Sequence, residues 1–305
     1  MKFSIVTPIY NGEKYIAETI ESVLSQEGDF EIEYIIQDGQ SIDNTLSIIK
    51  SYDEKLRIGI FPIKCNDVTL NWYSEKDTGM YDAINKGFAR ASGDIFAWIN
   101  CDDFFSPAAF SKISQVFMAY PEVLWLKGIT VIMNNPETGM LTHQPCHLFR
   151  QDWIEKGIYG RYLYFINQDS VFWRKELWQK AGPINSELKL AGDYYLWVNM
   201  ARYAPLYSLN AEVSCYRNIS SSLGQKNMKR YRKEQEKVVP IKHSLLVSKI
   251  KLFYFGKSKI KHLIPPVVFD LIFKYIFPKV NVVYFDFDES GKIVEKHSYS
   301  FEVRK

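Results

Sequence analysis

The stretch Ile95-Phe96-Ala97-Trp98-Ile99-Asn100-Cys101-Asp102-Asp103 decides the fold that we expect for this chain. Five apolar residues run into polar and acidic ones, a pattern typical of a strand buried on both faces of a parallel sheet. Open α/β sheets bind their ligands at the carboxyl ends of such strands. The adjacent carboxylates of Asp102 and Asp103 repel each other unless a cation or donors lie nearby, and their oxygens suit Mg2+ or Mn2+. The alternative is a loop in which an aspartate caps a helix that begins near Pro107.

The first half of the chain alternates apolar strand patterns with helical ones, and the end of the chain returns to strand patterns. Strands are predicted at Phe3–Val6, Tyr34–Ile36, Leu56–Phe61, Leu70–Tyr73, Asp94–Ile99, Val123–Met133 and Glu212–Arg217, and a hairpin at Val280–Asp288 and Ile293–Val303. Helices are predicted at Ile16–Leu24, after Asp43, at Met80–Arg90, Pro107–Tyr120 and Asp193–Tyr203. Strands that alternate with helices predict right-handed βαβ units and a mainly parallel sheet.

The composition is that of a folded protein whose cysteines form neither a disulfide framework nor a zinc site. The 305 residues are 47% hydrophobic, which suits one large domain, or one domain with a smaller unit. We expect a main unit at residues 1–220 and a basic helical segment with a terminal hairpin at residues 221–305. Four cysteines without close pairs argue against zinc and disulfides and favour a reducing compartment. We see neither a signal peptide nor a membrane span and expect a cytoplasmic location.

The charge is unevenly distributed along the chain. Residues 226–279 carry 14 Lys and Arg against 3 Asp and Glu, whereas the remaining residues carry 24 against 32. Aromatic and aliphatic residues lie among these lysines, a mixture that suits the surface of an anionic bilayer. A helical cap that packs on the main unit, with its lysines in solvent, is an equal alternative. We do not expect nucleic acid as a partner.

Polar residues follow four of the predicted strands, at Thr7–Asn11, Asp38-Gly39, Asp77–Gly79 and Asn100–Asp103. In a parallel sheet these strand ends would line one edge and one cleft. A carboxylate such as Asp38 can accept a hydrogen bond from a nucleobase imide, and a ring such as Tyr10 can stack on a base. Taken singly, each position is more often a turn or a helix entry, but four such positions at successive strand ends favour the cleft. Neither a GxGxxG fingerprint nor a P-loop is present, so phosphate would be met by metal and a few donors.

Several ordered motifs are similar to those of the family-2 glycosyltransferases with the GT-A fold. They are Ser4-Ile5-Val6-Thr7-Pro8-Ile9-Tyr10-Asn11, Ile36-Gln37-Asp38-Gly39-Gln40-Ser41-Ile42-Asp43-Asn44-Thr45, Trp72 to Gly87 with Tyr81-Asp82-Ala83-Ile84-Asn85, and Gly192-Asp193-Tyr194-Tyr195-Leu196-Trp197. The third motif resembles a bacterial subgroup of the surface-polysaccharide type. The resemblance covers roughly residues 3–217.

The resemblance implies a GT-A Rossmann-like, mainly parallel sheet flanked by helices, with the basic segment and hairpin added at the C-terminal end. It implies an inverting, metal-dependent transfer of a hexosyl or N-acetylhexosaminyl group from a nucleotide sugar, with UDP the expected nucleotide, to a glycan or lipid-linked acceptor at the inner face of the membrane. The residues implied are Thr7, Pro8, Tyr10, Asn11 and Asp38 around the nucleotide, and Asp77 and Asn85 on the diphosphate and donor-sugar side. Asn100 is a further donor-binding residue at the metal motif, Asp102 and Asp103 would hold Mn2+ or Mg2+, and Asp193 would be the catalytic base.

The chain departs from the family pattern at Asn100 in the metal motif and at Gly192, and more mildly at Gln37 and Gln40 in the second motif. Asn100 stands where the first aspartate of the DxD motif is expected, which leaves the metal to Asp102 with help from Asp103. Gly192 stands where an acidic residue often precedes the base, so this role rests on Asp193 alone. An aspartate at a helix start could also serve merely as an N-cap.

The sequence also leaves open two other functions, a nucleotidyltransferase and a non-catalytic scaffold, and the role of a group of aromatic residues. A sugar nucleotidyltransferase shares a related fold, but it usually carries a glycine-rich, basic loop where this chain has Tyr10–Glu13. A degenerate nucleotide-binding scaffold at the membrane would keep the fold without catalysis. Six aromatic residues could form either an acceptor cleft or ordinary packing: Trp153, Tyr159, Tyr162, Tyr164, Trp173 and Trp178.

Overall fold

The computed structural model describes residues 1–219, 227–240, 245, 247–251, 268, 282–300 and 302–303. Eleven of the described strands form one sheet, and two short ones pair separately. The strands are β1 (Lys2–Ile9), β2 (Glu31–Asp38), β3 (Asp67–Ser74), β4 (Ile95–Trp98), β5 (Phe104–Phe105), β6 (Trp125–Asn135), β7 (Met140–Thr142), β8 (Cys146–His147), β9 (Val171–Arg174), β10 (Tyr207–Arg217), β11 (Val282–Phe287), β12 (Ile293–Ser298) and β13 (Glu302–Val303). The helices are α1 (Ile16–Leu24), α2 (Thr45–Arg57), α3 (Met80–Arg90), α4 (Ala109–Ala119), α5 (Gln151–Glu155), α6 (Lys175–Ala181), α7 (Gly192–Ala201) and α8 (Met228–Val238).

The sheet is parallel on the side that carries the four predicted strand ends. Its strand order is β12-β11-β10-β6-β9-β4-β1-β2-β3, and β4, β1, β2 and β3 run parallel to one another. Only β9, among the strands between β10 and β3 in this order, opposes both of its neighbours. All four residues of β4 are buried, as expected for a strand covered on both faces. Apolar clusters cover both faces of the sheet, and β1, β2 and β4 are almost wholly buried between them, whereas the edge strand β3 is largely exposed.

The predicted strand at Leu56–Phe61 is wrong. Helix α2 continues to Arg57, and the residues after it form a turn in which Gly59 has a φ of 71°. Ile58 and Ile60 are 50% and 68% exposed, so their apolar side chains mark no buried strand. The amphipathic spacing of Ile49 and Tyr52, which face the core, determines the helix, and the apolar run after it is a surface feature.

The described elements of the C-terminal part contact the main unit directly. Strand β11 pairs in parallel with β10, and β12 completes the predicted hairpin at the edge of the main sheet. Helix α8 packs on the beginning of α7 through Tyr231. The rest of the basic segment at 226–279 lies largely outside the described residues, and the division at residue 220 stays a prediction. Among the residues described here, no helix is both long and apolar enough to cross a bilayer.

Candidate functional site

The four predicted strand ends meet at one edge of the sheet. The Gly39 N–H donates to Ile9 O at 2.8 Å, which joins the ends of β1 and β2. A Cβ at Gly39 would lie 2.6 Å from Asp77 Oδ2, so the loop after β3 approaches the end of β2 closely. A Cβ at Gly12 would lie 3.1 Å from Cys101 Sγ, so the turn after β1 approaches the end of β4. The four strand ends therefore lie side by side, as the sequence predicts for residues that would line one cleft.

Asp38 lies at the centre of this edge with its carboxylate bound inside the protein. Its side chain is fully buried. Ser41 donates to it from both N–H and hydroxyl, with Oγ at 2.5 Å, and Ser74 Oγ donates at 2.6 Å. A carboxylate offers about four lone-pair sites, and these donors occupy most of them. A nucleobase imide would therefore have to share or displace a serine.

The end of β1 divides the predicted nucleotide residues into buried and exposed ones. Thr7 and Pro8 are buried, and Thr7 Oγ1 lies 2.9 Å from Tyr34 Oη in the core. Tyr10 is 61% exposed, and its ring is available for stacking. Asn11 has a φ of 53°, and its Oδ1 accepts from the Ile42 N–H at 2.9 Å. Tyr10 and Asn11 are therefore the exposed members of this group, and Tyr10 has the ring that could stack on a base.

The turn after β4 is fastened from two sides. Thr19 Oγ1 on α1 lies 2.9 Å from Cys101 O and 2.7 Å from Asp103 O. On the other side, Arg217 Nη1 donates to Asp102 O at 2.5 Å. The guanidinium of Arg217 lies between the rings of Tyr15 and Phe104, at 4.8 and 4.7 Å from their centres. Such a turn can hold Asp102 in a fixed place at the cleft.

The two aspartates of this turn lie in different surroundings. Asp103 is fully buried, and its Oδ1 accepts from the Arg217 N–H at 2.9 Å. Burial, with the neighbouring Asp102 and Asp169, raises the pKa of Asp103 well above its usual range. Asp102 is partly exposed, and desolvation raises its pKa more modestly. The side chain of Asp103 therefore faces the interior, and Asp102 is the carboxylate that borders the cleft.

The donor set at this turn fits a divalent cation that is shared with a ligand. Asn100 Oδ1 and Asp103 Oδ2 are buried oxygens without a hydrogen-bond partner, and the carboxylate of Asp102 lies between them in the chain. Within the described ranges, no group of three or more His, Cys, Asp or Glu could hold a metal alone. Mg2+ commonly binds through one or two carboxylates plus substrate phosphates and water. The residues present suit that arrangement, with Asp102 as the protein ligand.

The predicted diphosphate-side residues bind backbone groups. The Asp77 carboxylate accepts from the Gly79 N–H at 2.8 Å and shapes the loop before α3. The Asn85 amide donates to Ile184 O at 2.7 Å and accepts from Ile184 N at 2.9 Å. Asn85 thus fixes the loop around residue 184, which is distant in sequence. Asp77 and Asn85 therefore hold two separate loops in place through backbone contacts.

Asp193 lies at the first turn of α7 and lines an apolar pocket. The other lining residues come from three parts of the chain: Ile154, Tyr159, Gly160, Phe165, Ile166, Tyr194, Trp197, Val198 and Tyr231. Burial raises the pKa of Asp193 to about 6, although the Tyr194 N–H and the Tyr231 and Tyr81 hydroxyls favour the ionised form. A carboxylate with this pKa is a stronger base than an exposed one and is still mostly ionised at pH 7.

Four contacts connect the Asp193 pocket to the cleft at the strand ends. Two are hydrogen bonds to backbone carbonyls: Lys189 Nζ donates to Thr78 O, and Tyr81 Oη donates to Leu190 O, both at 2.8 Å. The third is the pairing of Asn85 with the backbone of residue 184, and the fourth is the stacking of Trp98 on Trp197 at 5.5 Å. The Asp193 pocket is therefore in direct contact with the elements that carry the strand-end residues.

Most of the aromatic residues that could have formed an acceptor cleft are packed in the core. Trp153, Tyr159 and Trp173 are 0–2% exposed, and Tyr162, Tyr164 and Trp178 are partly buried against the same cluster. Of these six, Tyr159 also lines the Asp193 pocket. The packing interpretation is therefore favoured for the group as a whole.

Sequence reasoning missed several residues that support the site. Ser41 and Ser74 bind Asp38, Thr19 and Arg217 hold the turn after β4, and Tyr231 lies beside Asp193. Ser41 lies within a recognised motif, and its proximity to Asp38 could have indicated this contact. The contacts of Arg217 and Tyr231 span more than 35 residues, and no local pattern reports them.

Comparison with known sequences places these features in a family. A sequence model described as Glycosyl transferase family 2 matches residues 4–175, more than half of the chain. An uncharacterized glycosyltransferase of Nostoc sp. is 30% identical over 138 residues, 45% of this chain and 39% of that protein. One of Rickettsia typhi is 24% identical over 206 residues, 67% of this chain and 60% of its own length. The chain thus spans less than two thirds of each of these two relatives.

A further relative aligns over most of both chains. TuaG of Bacillus subtilis, a glycosyltransferase provisionally assigned to teichuronic acid biosynthesis, is 25% identical over 233 residues, 75% of this chain and 84% of its own.

Comparison with solved structures supports the same fold. TarS 1-349 of S. aureus in complex with UDP-GlcNAc has a TM-score of 0.57 at 16% identity, over 90% of this chain and 79% of that one. The mannosyltransferase PcManGT of Pyrobaculum calidifontis in complex with GDP-Man and Mn2+ has a TM-score of 0.55 at 13% identity, over 88% and 78%. The GT-A fold expected from the sequence is therefore confirmed.

Proposed function

Because the chain belongs to glycosyl transferase family 2, we propose that it transfers a sugar from a nucleoside diphosphate to a hydroxyl of a glycan or lipid-linked acceptor. UDP is the expected nucleotide, since the structurally similar TarS was solved with UDP-GlcNAc. The likeness to TuaG supports a place in the synthesis of a surface polysaccharide.

The observation that carries this proposal is the placement of Asp193. Its carboxylate lies in an apolar pocket, and its pKa is raised to about 6 by burial. An acceptor hydroxyl must lose its proton as its oxygen attacks the anomeric carbon, and a positioned carboxylate can accept that proton. The bond between the anomeric carbon and the diphosphate then breaks. One base and one displacement on the face opposite the leaving group give inversion.

The donor would bind along the edge formed by the ends of β1, β2 and β4. Tyr10 would stack on the base, and Asp38, held by Ser41 and Ser74, would border the base edge. Asp77 in the loop before α3, Asn85 on α3 and Asn100 in the turn after β4 would border the diphosphate side. Asp102 would hold a divalent ion against the diphosphate, as the partly exposed carboxylate of its turn. Such an ion, Mn2+ or Mg2+, offsets the charge that develops on the leaving diphosphate.

We further propose that the basic segment at 226–279 brings the enzyme to an anionic membrane surface. Helix α8 belongs to this segment, and its outward face carries exposed Lys229, Arg230, Arg232, Lys233 and Lys237. These residues lie on the helix that contributes Tyr231 to the Asp193 pocket. A lipid-linked acceptor would then meet the base near the membrane surface.

The test is a panel of nucleotide sugars with the purified chain, with and without Mn2+. The true donor should raise the melting temperature most, because a ligand stabilises the state that binds it. That donor, with a glycan or lipid-linked acceptor, should then release nucleoside diphosphate and form a glycosidic product. Release of pyrophosphate from a nucleoside triphosphate would instead identify a nucleotidyltransferase. Binding without turnover in any combination would identify a scaffold.

A further inference from the structure

Helix α8 packs against the beginning of α7, and the contact has an apolar centre. Tyr231 forms a buried cluster with Ala191, Tyr194 and Val198, and the ring of Phe165 packs against Tyr231 at 5.8 Å. This packing alone would explain why the helix lies there. Three polar side chains of α8 are also buried, those of Tyr231, Glu234 and Gln235, and burial of polar groups costs free energy unless they are hydrogen-bonded. Tyr231 and Glu234 have hydrogen-bond partners at the beginning of α7.

The first polar group is the hydroxyl of Tyr231. The side chain is 7% exposed, and Oη lies 3.4 Å from Asp193 Oδ1. Burial, with the charge of Asp193, raises the pKa of Tyr231 well above its usual range, so the phenol keeps its proton and remains a donor. The same Oδ1 accepts from the Tyr194 N–H at 2.7 Å. Two donors on one oxygen restrict the rotation of the carboxylate.

The second polar group is the carboxylate of Glu234, which is 6% exposed. Its Oε2 accepts from three successive backbone N–H groups, those of Lys189, Leu190 and Ala191, at 2.8–3.0 Å. These residues directly precede α7 and Asp193. A carboxylate at a helix N-terminus is favoured by the free N–H groups and by the helix dipole. Glu234 therefore fixes the loop from which the base emerges.

The charged and titratable groups around Asp193 come from three elements. Tyr81 on α3 donates to Leu190 O and also favours the ionised form of Asp193. Tyr231 and Glu234 face this region from α8, and Arg161 packs on the ring of Tyr194 at 5.6 Å. Arg230 reaches Glu234 at 3.5 Å on the outer side. Among these groups, Tyr231 binds the carboxylate of Asp193 directly from the C-terminal part of the chain.

We propose that Tyr231 and Glu234 are positioning residues for the base: Tyr231 holds Oδ1 of Asp193 so that Oδ2 faces the acceptor hydroxyl, and Glu234 sets the start of α7. This inference rests on the proposed function, because it assigns Asp193 the role of base. It gives helix α8 a part in catalysis in addition to its packing.

The test compares Tyr231→Phe and Glu234→Gln with Glu236→Gln, a control at an exposed position of the same helix. Tyr231→Phe keeps the ring and removes one donor to the ionised carboxylate. The pKa of Asp193 should therefore rise, and the acid limb of kcat/KM should move to higher pH. We expect kcat to fall about threefold to tenfold with an unchanged KM for the nucleotide sugar. Glu234→Gln should lower kcat similarly, and Glu236→Gln should have no effect.

A second measurement does not depend on activity. Carbon-13 NMR of the Asp193 carboxyl, assigned with Asp193→Asn, gives its pKa in the wild type and in Tyr231→Phe. A higher value in Tyr231→Phe supports the proposal, even where no acceptor has been found. An unchanged Asp193 pKa, or a lower melting temperature with an unchanged acid limb, would reduce Tyr231 to packing and overturn it. If Asp193→Asn itself retains full transfer, the proposed function fails instead, and the NMR result still reports the contact.

Discussion

The edge formed by the ends of β1, β2 and β4, where we propose that the nucleotide binds, and the Asp193 pocket surround their central carboxylates with opposite kinds of side chain. Asp38 is fully buried, yet hydroxyl and N–H donors from Ser41 and Ser74 surround its oxygens. Asp193 lies among apolar and aromatic side chains, and burial raises its pKa to about 6. Hydrogen bonds stabilise the charged form of a carboxylate, whereas desolvation destabilises it. The first arrangement suits a rigid recognition site, and the second suits a group that must take up a proton.

The largest expected effect is on the base. Asp193→Asn should lower kcat by about 100- to 10,000-fold, the usual contribution of a general base. Nucleotide affinity should be retained, because the donor edge is built from the ends of β1, β2 and β4. Calorimetric titration of the nucleotide beside turnover is the measurement. If affinity falls together with kcat, Asp193 belongs to the donor edge, and the contrast between the two regions fails.

The next effect concerns the turn after β4. Asp102→Asn should lower the rate of transfer by about 100- to 1000-fold with an intact fold, because the leaving diphosphate would lose the cation that Asp102 holds. Asp103→Asn is the comparison within the same turn. Its side chain faces the interior, and asparagine keeps the oxygen that accepts from the Arg217 N–H, so Asp103→Asn should change transfer and its Mn2+ dependence much less than Asp102→Asn does. Full activity of Asp102→Asn, or of the wild type in excess chelator, would contradict a metal-dependent mechanism.

The pH dependence follows from the raised pKa of Asp193. The ionised form is the active base, so kcat/KM should rise with pH through about 6 and level off above it. Below that pH it should fall about tenfold per unit as Asp193 becomes protonated. The melting temperature should be measured in the same buffers, so that unfolding at low pH is not mistaken for protonation of Asp193. A limb near pH 4 would show that the pocket does not desolvate the carboxylate.

Stability should move in opposite directions at the two carboxylates. Asp38→Asn loses acceptors for Ser41 and Ser74 and should destabilise the fold by about 1–3 kcal/mol. Asp193 binds its proton more tightly in the folded state, so its ionisation costs stability as pH rises from about 4 to about 6. Asp193→Asn should therefore be more stable than the wild type at pH 7, by about 1–3 kcal/mol. Denaturant unfolding of both variants at pH 7 and pH 4 is the measurement. Equal changes in the free energy of unfolding of Asp38→Asn and Asp193→Asn would show that the two carboxylates do not differ in this way.

The smallest effect concerns the outer face of α8. Sedimentation with vesicles should show binding to anionic lipid that falls with salt, and Lys233→Gln should weaken it about fivefold, since each such lysine contributes about 1 kcal/mol. Lys50→Gln, an exposed lysine on α2, is the matched control and should bind as the wild type does. Equal, negligible binding to anionic and neutral vesicles would leave α8 as a helix that only supports the base pocket.

The sequence predicted the shared edge of the strand ends, where we propose that the donor binds, better than the surroundings of Asp193, for a physical reason. Each strand end of the donor region is a short continuous motif, and the parallel topology brings such motifs to one edge. The carboxylate of Asp193 could be located from its own motif. Its surroundings come from α3, α7 and α8, and contacts such as that between Tyr231 and Asp193 leave no local periodicity. Leu56–Phe61 failed because β-branched residues at the surface resemble a strand.

The close packing of Gly192 against Tyr81 also restricts how related sequences can diverge. A Cβ at Gly192 would lie 2.7 Å from three atoms of the Tyr81 ring, so this position cannot gain a side chain while that ring stays in place. Many relatives are expected to carry an acidic residue immediately before the base. In those sequences the residue that matches Tyr81 should be smaller, so that the two positions covary across the family although 111 residues separate them in this chain.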